Sequence, residues 1–220
     1  MGRASKKPSK KIAKQLRLSQ RVRYPEAEAK YPWLSILLDT YHVLDTGISL
    51  ELPYEKERRK EKVACHHGCG NCCLRPTVPI AELETLGISW FFLENLSGKT
   101  KYIVESQLKN HRRDTKCPFL VDKACSVYPV RPIACRMFYV FGQPCQPKED
   151  VSKTRPRDMW THSRELAQRV AITMLPYFGI TGKRQKIKAF EEGFLYSVSM
   201  PMHELAWENM VYQLQKPDRE

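Results

Sequence analysis

The chain has 220 residues, of which 42% are hydrophobic and 28% charged, and it contains eight cysteines. This length suits one globular domain plus a modest extension, so a long repeat array or a multidomain enzyme is not expected. The cysteine content lies below the roughly 8–10% typical of small disulfide-built proteins. No apolar stretch approaches the roughly 20 residues that a bilayer span requires, so we expect no transmembrane helix.

The net charge of +13 is concentrated at the N-terminus. Residues 1–23 contain nine Lys and Arg and no acidic residue, which leaves +4 for the remainder. We predict a basic disordered tail over residues 1–23. Its basic residues, between positions 3 and 23, suit contact with a polyanion such as nucleic acid or acidic protein, and a plain solvated tail is the alternative.

The first predicted element after the tail is an amphipathic helix. Pro32 suits a first helical turn, and apolar side chains follow at helical spacing from Trp33 to Leu44. Gly47 is predicted to end this helix. Residues 24–60 are therefore interpreted as an N-terminal helix and a charged linker.

The cysteine-rich part, residues 61–146, is predicted to contain short elements. Residues 101–111 show helical spacing, and apolar residues on either side of Asp122-Lys123 indicate a small hairpin without a turn glycine. A short helix is predicted to begin at Arg131-Pro132. Residues 147–220 are predicted to form a C-terminal helical segment. The fold class is then mainly α with a minor β-hairpin, a small irregular domain organised by metal and flanked by helices.

All eight cysteines fall within 81 residues and form two groups. The first group has four cysteines in nine residues, interleaved with Gly68 and Gly70, which permit the positive φ angles that a tight ligand loop requires. Clustered thiols in a chain of this kind more often hold metal than form disulfides. We predict that all eight are metal ligands: Cys65, Cys69, Cys72, Cys73, Cys117, Cys125, Cys135 and Cys145.

Arginine and histidine side chains near the cysteines are further candidates for a role in the metal site. Arg131 and Arg136 are candidates to offset the negative charge of the thiolates, with a solvated role as the alternative. His66, His67 and His111 are candidate additional ligands, and an exposed or supporting role is the alternative.

These cysteines resemble the bacterial cysteine-cluster family named for YkgJ, of CxxCxxCC type, which is described as zinc- or iron-chelating. The first group ends in the adjacent pair Cys72-Cys73, and the second contains a Cys-Pro-Phe-Leu segment, a Tyr-x-x-Arg-Pro stretch and a Cys-Arg pair. The resemblance covers residues 61–146. The flagellin lysine N-methyltransferases carry a similar signature, which implies an iron-sulfur centre coupled to S-adenosylmethionine-dependent methylation.

Eight thiolates suit two four-cysteine zinc sites, one 4Fe-4S cluster with four thiols left over, or two clusters. We favour an iron-sulfur cluster over zinc because the spacing matches structural zinc modules poorly. Two other functions remain open: an S-adenosylmethionine-dependent protein-modifying enzyme, and a zinc-stabilised adaptor that binds nucleic acid through its tail. Free clustered thiols favour a reducing compartment, so we expect a cytoplasmic protein.

Overall fold

The structure is a computed structural model that describes residues 20–66, 68–74, 78–113 and 115–210. Within these ranges the fold is mainly α, and each strand is only two residues long. The prediction of a mainly α protein with a minor β component is therefore confirmed. Residues 1–19 of the basic tail, His67, and residues 211–220 of the predicted C-terminal helical segment lie outside the described residues.

The helices vary widely in length. Their bounds in chain order are α1 Pro25–Lys30, α2 Pro32–Arg59, α3 Glu82–Trp90, α4 Gly98–Lys109, α5 Ile133–Met137, α6 Val151–Thr154, α7 Arg164–Met174, α8 Lys183–Glu191 and α9 Phe194–Ser197. A π-helical turn at Phe91–Asn95 extends α3, and a 3-10 turn at Leu175–Phe178 extends α7. Further 3-10 turns lie at Asn71–Leu74, Tyr128–Val130, Pro156–Asp158 and Met202–Glu204.

The strands form two small antiparallel pairs. β1 (Pro79–Ile80) pairs with β4 (Met200–Pro201), and β2 (Leu120–Val121) pairs with β3 (Ala124–Cys125). The turn between β2 and β3 is Asp122-Lys123, with φ angles of 48° and 62°. Two consecutive positive φ angles are typical of a type I′ turn, which matches the right-handed twist of a hairpin. The predicted hairpin is confirmed, and it forms without glycine.

Helix α2 starts at Pro32 as predicted, but the prediction that Gly47 ends it is wrong. Gly47 is buried inside the helix, which continues to Arg59 and stops at the left-handed Lys60. A Cβ atom at position 47 would lie 2.1 Å from Cδ1 of Leu166 on α7. Gly47 is therefore the point of close contact between α2 and α7.

This contact predicts that Gly47→Ala destabilises the protein. In an exposed helix interior, alanine makes the helix about 1 kcal/mol more stable than glycine does. Overpacking a filled site, in contrast, costs about 1–3 kcal/mol of stability. We expect a lower urea midpoint for Gly47→Ala than for the wild type. Leu166→Ala is itself destabilising, but it makes space, so Gly47→Ala should cost less stability in the Leu166→Ala background than alone. A Gly47→Ala variant that unfolds at higher urea than the wild type would contradict the contact.

The main hydrophobic core joins the predicted segments of the chain. It contains Leu34 and Leu37 of α2, Leu83 of α3, Phe119 before the hairpin and Trp207 near the end of the described chain. The rings of Phe119 and Trp207 meet edge to face with centroids 5.1 Å apart.

The division of the chain at residues 23, 60 and 146 stays a prediction. No helix within the described ranges has both the length and the apolar character to cross a membrane.

One basic residue of the predicted tail is held by the fold. Arg21 donates hydrogen bonds to the carboxylate of Glu28 at 2.7 and 3.0 Å and to Asp39 at 2.5 Å. The bond from Arg21 lowers the pKa of Glu28 to about 2. Arg21 therefore neutralises acidic residues of α1 and α2, and the predicted polyanion contact rests on the remaining basic residues.

Candidate metal centre

All eight cysteines line one cavity of about 460 Å³. The wall between them is largely apolar and includes Ile88, Phe119, Val127, Phe138 and Met202. The two sequence groups of cysteines, which are separated by α3 and α4, therefore meet at one place in the fold. In the described parts of the chain, no three His, Cys, Asp or Glu side chains form a ready-made site for a single ion.

The loop of the first group is shaped by its two glycines. Gly68 has a φ of 77° and Gly70 a φ of 57°, as the sequence predicted. A Cβ atom on Gly70 would lie 2.9 Å from the backbone oxygen of Lys123. The loop is thus pressed against the turn of the β2–β3 hairpin, where only glycine combines this conformation with this contact.

The second group joins the first through the backbone of Cys73. The N–H of Cys117 donates to the carbonyl of Cys73 at 2.8 Å. The interaction with the Cys73 thiol raises the pKa of Cys72, and the interaction with the Cys117 thiol raises that of Cys73, so these three thiols are neighbours. Cys125 lies on β3, directly across the hairpin from Leu120.

Cys135 is positioned by α5, and a buried carboxylate fixes the start of this helix. Glu84 of α3 accepts hydrogen bonds from the backbone N–H of Ile133 at 2.6 Å and of Ala81 at 3.0 Å. Burial raises the pKa of Glu84, and these two bonds lower it. Glu84 therefore ties the helix that carries Cys135 to the N-terminus of α3.

Cys65 and Cys145 are brought together by an irregular pairing of two segments. Val63 and Phe141 form an isolated antiparallel bridge, and the N–H of Val140 donates to Sγ of Cys65 at 3.4 Å. The side chain of Asn71 donates to the carbonyl of Cys145 at 2.7 Å. The cysteine that is last in sequence is in this way held beside the first cysteine loop.

Burial and mutual contact keep several of these thiols protonated. Burial raises the pKa of Cys125 and, more strongly, that of Cys135. The hydrogen bond to Cys117 raises the pKa of Cys73 to about 12, and burial raises that of Cys145 to about 11. Thiolates are the form that binds metal, so metal binding here displaces protons.

The structure gives Arg131 and Arg136 different surroundings. Arg131 lines the cysteine cavity, and its guanidinium stacks 4.1 Å from the ring centroid of Tyr128. Within the described residues, Nε of Arg131 is buried and has no hydrogen-bond partner. Arg136 is buried and bonded to Asp45 and to two backbone carbonyls. Arg131 is therefore the arginine that faces the thiols.

The three candidate histidines also differ in where they lie relative to the cysteine cavity. His66 lines the cavity beside the cysteines. The ring of His111 instead contacts the carbonyl of His203 at 3.2 Å and the hydroxyl of Thr115 at 3.3 Å. His111 is not among the residues that line the cysteine cavity, and His67 lies outside the described residues.

The residues present fit zinc or an iron-sulfur cluster. Soft thiolate ligands select these metals, and the cavity supplies thiols from both cysteine groups within a largely apolar wall. Two positioning residues, Asn71 and Glu84, were not predicted from the sequence. Their partners are backbone groups distant along the chain, and nothing near either residue in the sequence indicates such a partner.

A comparison with protein families gives one match. Residues 64–160 match the model of a family named CxxCxxCC and described as a "Putative zinc- or iron-chelating domain". Searches of curated proteins and of solved structures each found no match to the chain. The family match begins just before Cys65 and extends past Cys145, so it covers every cysteine. Residues 64–160 of this chain are therefore similar to the CxxCxxCC family of zinc- or iron-chelating domains.

Proposed function

We propose that this domain chelates iron as a 4Fe-4S protein and uses the eight cysteines as its ligands, with zinc as the competing metal. The observation that carries the proposal is the cavity that all eight cysteines line. The family match supports zinc or iron equally, so the choice between them depends on the shape and chemistry of the site.

The size of the cavity favours a cluster over a single ion. Four thiolates hold zinc in a closed tetrahedron with Zn–S distances of about 2.3 Å, which leaves no interior space to fill. An iron-sulfur cluster is a body of several atoms, held by cysteine thiolates at its edges. A cavity of about 460 Å³ with thiols on several sides suits such a body.

The chain contributes more than thiols to such a site. Apolar side chains such as Phe119 and Val127, both buried, form part of the cavity wall. The Arg131 guanidinium lies where it offsets part of the negative charge of a thiolate-bound cluster. When bound, the cluster supplies electron storage or Lewis acidity, and these residues tune and protect it.

The test is anaerobic purification of the full chain, followed by reconstitution with iron and sulfide. We expect iron and acid-labile sulfide in about equal amounts, with broad visible absorption that disappears on chelation. Replacement of Cys135 by alanine should lower the iron content. A colourless protein that fills with zinc and rejects iron under these conditions would contradict the iron-sulfur proposal and leave zinc chelation in its place.

A further inference from the structure

We infer that the eight thiols form two metal centres and that the adjacent residues Cys72 and Cys73 serve different centres. The inference rests on the proposed function, since it divides the same ligands between two sites. The first centre takes Cys65, Cys69, Cys72 and Cys145. The second takes Cys73, Cys117, Cys125 and Cys135.

The second centre is built on the main hydrophobic core. The carbonyl of Cys73 accepts from the N–H of Cys117 at 2.8 Å, and the carbonyl of Cys117 accepts from the N–H of Leu120 at 3.1 Å. Leu120 is the cross-strand partner of Cys125. Cys73, Cys117 and Cys125 all pack against the main core. These contacts form a continuous chain of short links from Cys73 to Cys125.

Cys135 reaches the same side of the cavity through α5. Glu84, which belongs to α3, holds the N-terminus of α5 by accepting the Ile133 N–H at 2.6 Å. Ile133 packs against the main core that contains Cys117. The helix that carries Cys135 is thus anchored to the elements that position the other three ligands of this centre.

The first centre is built on a separate apolar cluster. Cys145 is buried in that cluster with Val140 and Val151, and Cys65 packs against it. The N–H of Val140 also donates to the sulfur of Cys65. Because Cys65 and Cys145 share this small cluster and the other thiols do not, their surroundings differ from those of the second centre.

Cys69 and Cys72 complete the first centre from the glycine loop. Cys69 follows Cys65 within one turn, since its N–H donates to the carbonyl of His66 at 3.2 Å. Asn71, next to Cys72, donates to the carbonyl of Cys145 at 2.7 Å. Cys65, Cys69, Cys72 and Cys145 all line the same cavity.

The boundary between the centres falls inside the 3-10 turn Asn71–Leu74. With three residues per turn, successive side chains point about 120° apart. Cys72 is exposed and Cys73 is only partly exposed, which agrees with different directions. Cys72 and Cys73 are adjacent in the chain, so the two centres are neighbours within the one cavity that all eight cysteines line.

Double alanine variants of the full chain test the division. Cys65→Ala with Cys72→Ala removes two ligands of one centre, so about half of the metal should remain. Cys65→Ala with Cys73→Ala removes one ligand from each centre, so nearly all of the metal should be lost. The two variants have the same number of missing thiols and differ by a single position, so each is the matched control for the other. Iron and zinc per chain are measured by elemental analysis after anaerobic reconstitution.

A titration of the stripped wild-type chain with cobalt gives a second measurement that needs no variant. Cobalt fills four-thiolate sites and gives intense visible bands, so an endpoint near two cobalt ions per chain supports two centres. An endpoint near one, or equal metal loss in the two double variants, overturns the division and leaves metal chelation intact. A wild-type chain that binds no iron, zinc or cobalt overturns the proposed function as well.

Discussion

Metal removal should unfold the cysteine-bearing segments while the pair of helices α2 and α7 stays protected. The segments around the cavity consist of short elements: a four-residue 3-10 turn, two-residue strands and the five-residue helix α5. Helices and hairpins this short are unstable alone in water. Structural zinc contributes an apparent 10–16 kcal/mol to folding in small peptides, so metal should dominate the local stability.

The pair of α2 and α7 contains no cysteine. Leu44 and Ile48 of α2 pack on Leu166 and Val170 of α7, and Trp160 closes the same cluster. Burial of each such side chain contributes about 1.5–3 kcal/mol, independent of metal. The contacts between α2 and α7 should therefore survive chelation, whereas Phe141, which packs on the same cluster, lies in the metal-organised segment.

Hydrogen exchange on the loaded and the chelator-stripped protein measures both effects. We expect loss of amide protection from Cys65 to Leu74 and from Cys117 to Cys145, with protection retained in the centre of α2 and in α7. Unchanged protection between Cys65 and Cys145 after complete metal removal would show that the thiols do not organise this region. Equal loss across α2 and α7 would show that the two parts unfold as one unit.

The parts of the fold that local patterns encode were predictable. Pro32 marks the start of α2, and the apolar residues on either side of Asp122-Lys123 indicate the hairpin. The glycines at 68 and 70 indicated positive φ angles, which the structure confirms. Each of these features depends on residues within one or two turns of the chain, where sequence and conformation are directly linked.

Features that depend on distant partners were not predictable. Gly47 has the appearance of a helix stop, and only the position of Leu166 shows why glycine is required inside the helix. Two hydrogen bonds also join residues far apart in sequence. Asn71 donates to the carbonyl of Cys145, and Glu84 accepts from the N–H of Ile133. The residue types allow such contacts with many partners, so the choice is made by tertiary packing.

The same limit applies to the two arginines beside the cysteines. From the sequence, Arg131 and Arg136 were equivalent candidates to offset thiolate charge. The structure distinguishes them, because Arg136 is only 5% exposed and donates its hydrogen bonds to Asp45 and to backbone carbonyls. The two side chains should consequently give opposite results on replacement.

Arg136→Met should destabilise the fold by about 3 kcal/mol. The guanidinium donates to Asp45 at 2.7 Å and to the carbonyls of Arg131 and Pro129 at 2.9 and 2.5 Å, and it lies 4.0 Å from the ring centroid of Tyr41. Loss of one partner from a buried pair costs about 3–5 kcal/mol, and the partial exposure of Asp45 favours the lower end. Urea unfolding of the metal-loaded protein, followed by circular dichroism, measures the change.

Arg131→Met is the matched control, and its effect should fall on the metal. Its guanidinium stacks on the exposed side chain of Tyr128, so its removal should cost less than about 1 kcal/mol of stability. Burial raises the pKa of Cys125, and the charge of Arg131 lowers it, so the variant should lose metal to a competing chelator faster than the wild type. Arg131→Lys keeps the charge and should restore slow loss. If Arg131→Met unfolds more easily than Arg136→Met, or if Arg131→Lys loses metal as fast as Arg131→Met, the assignment of structural and electrostatic roles to these two arginines is wrong.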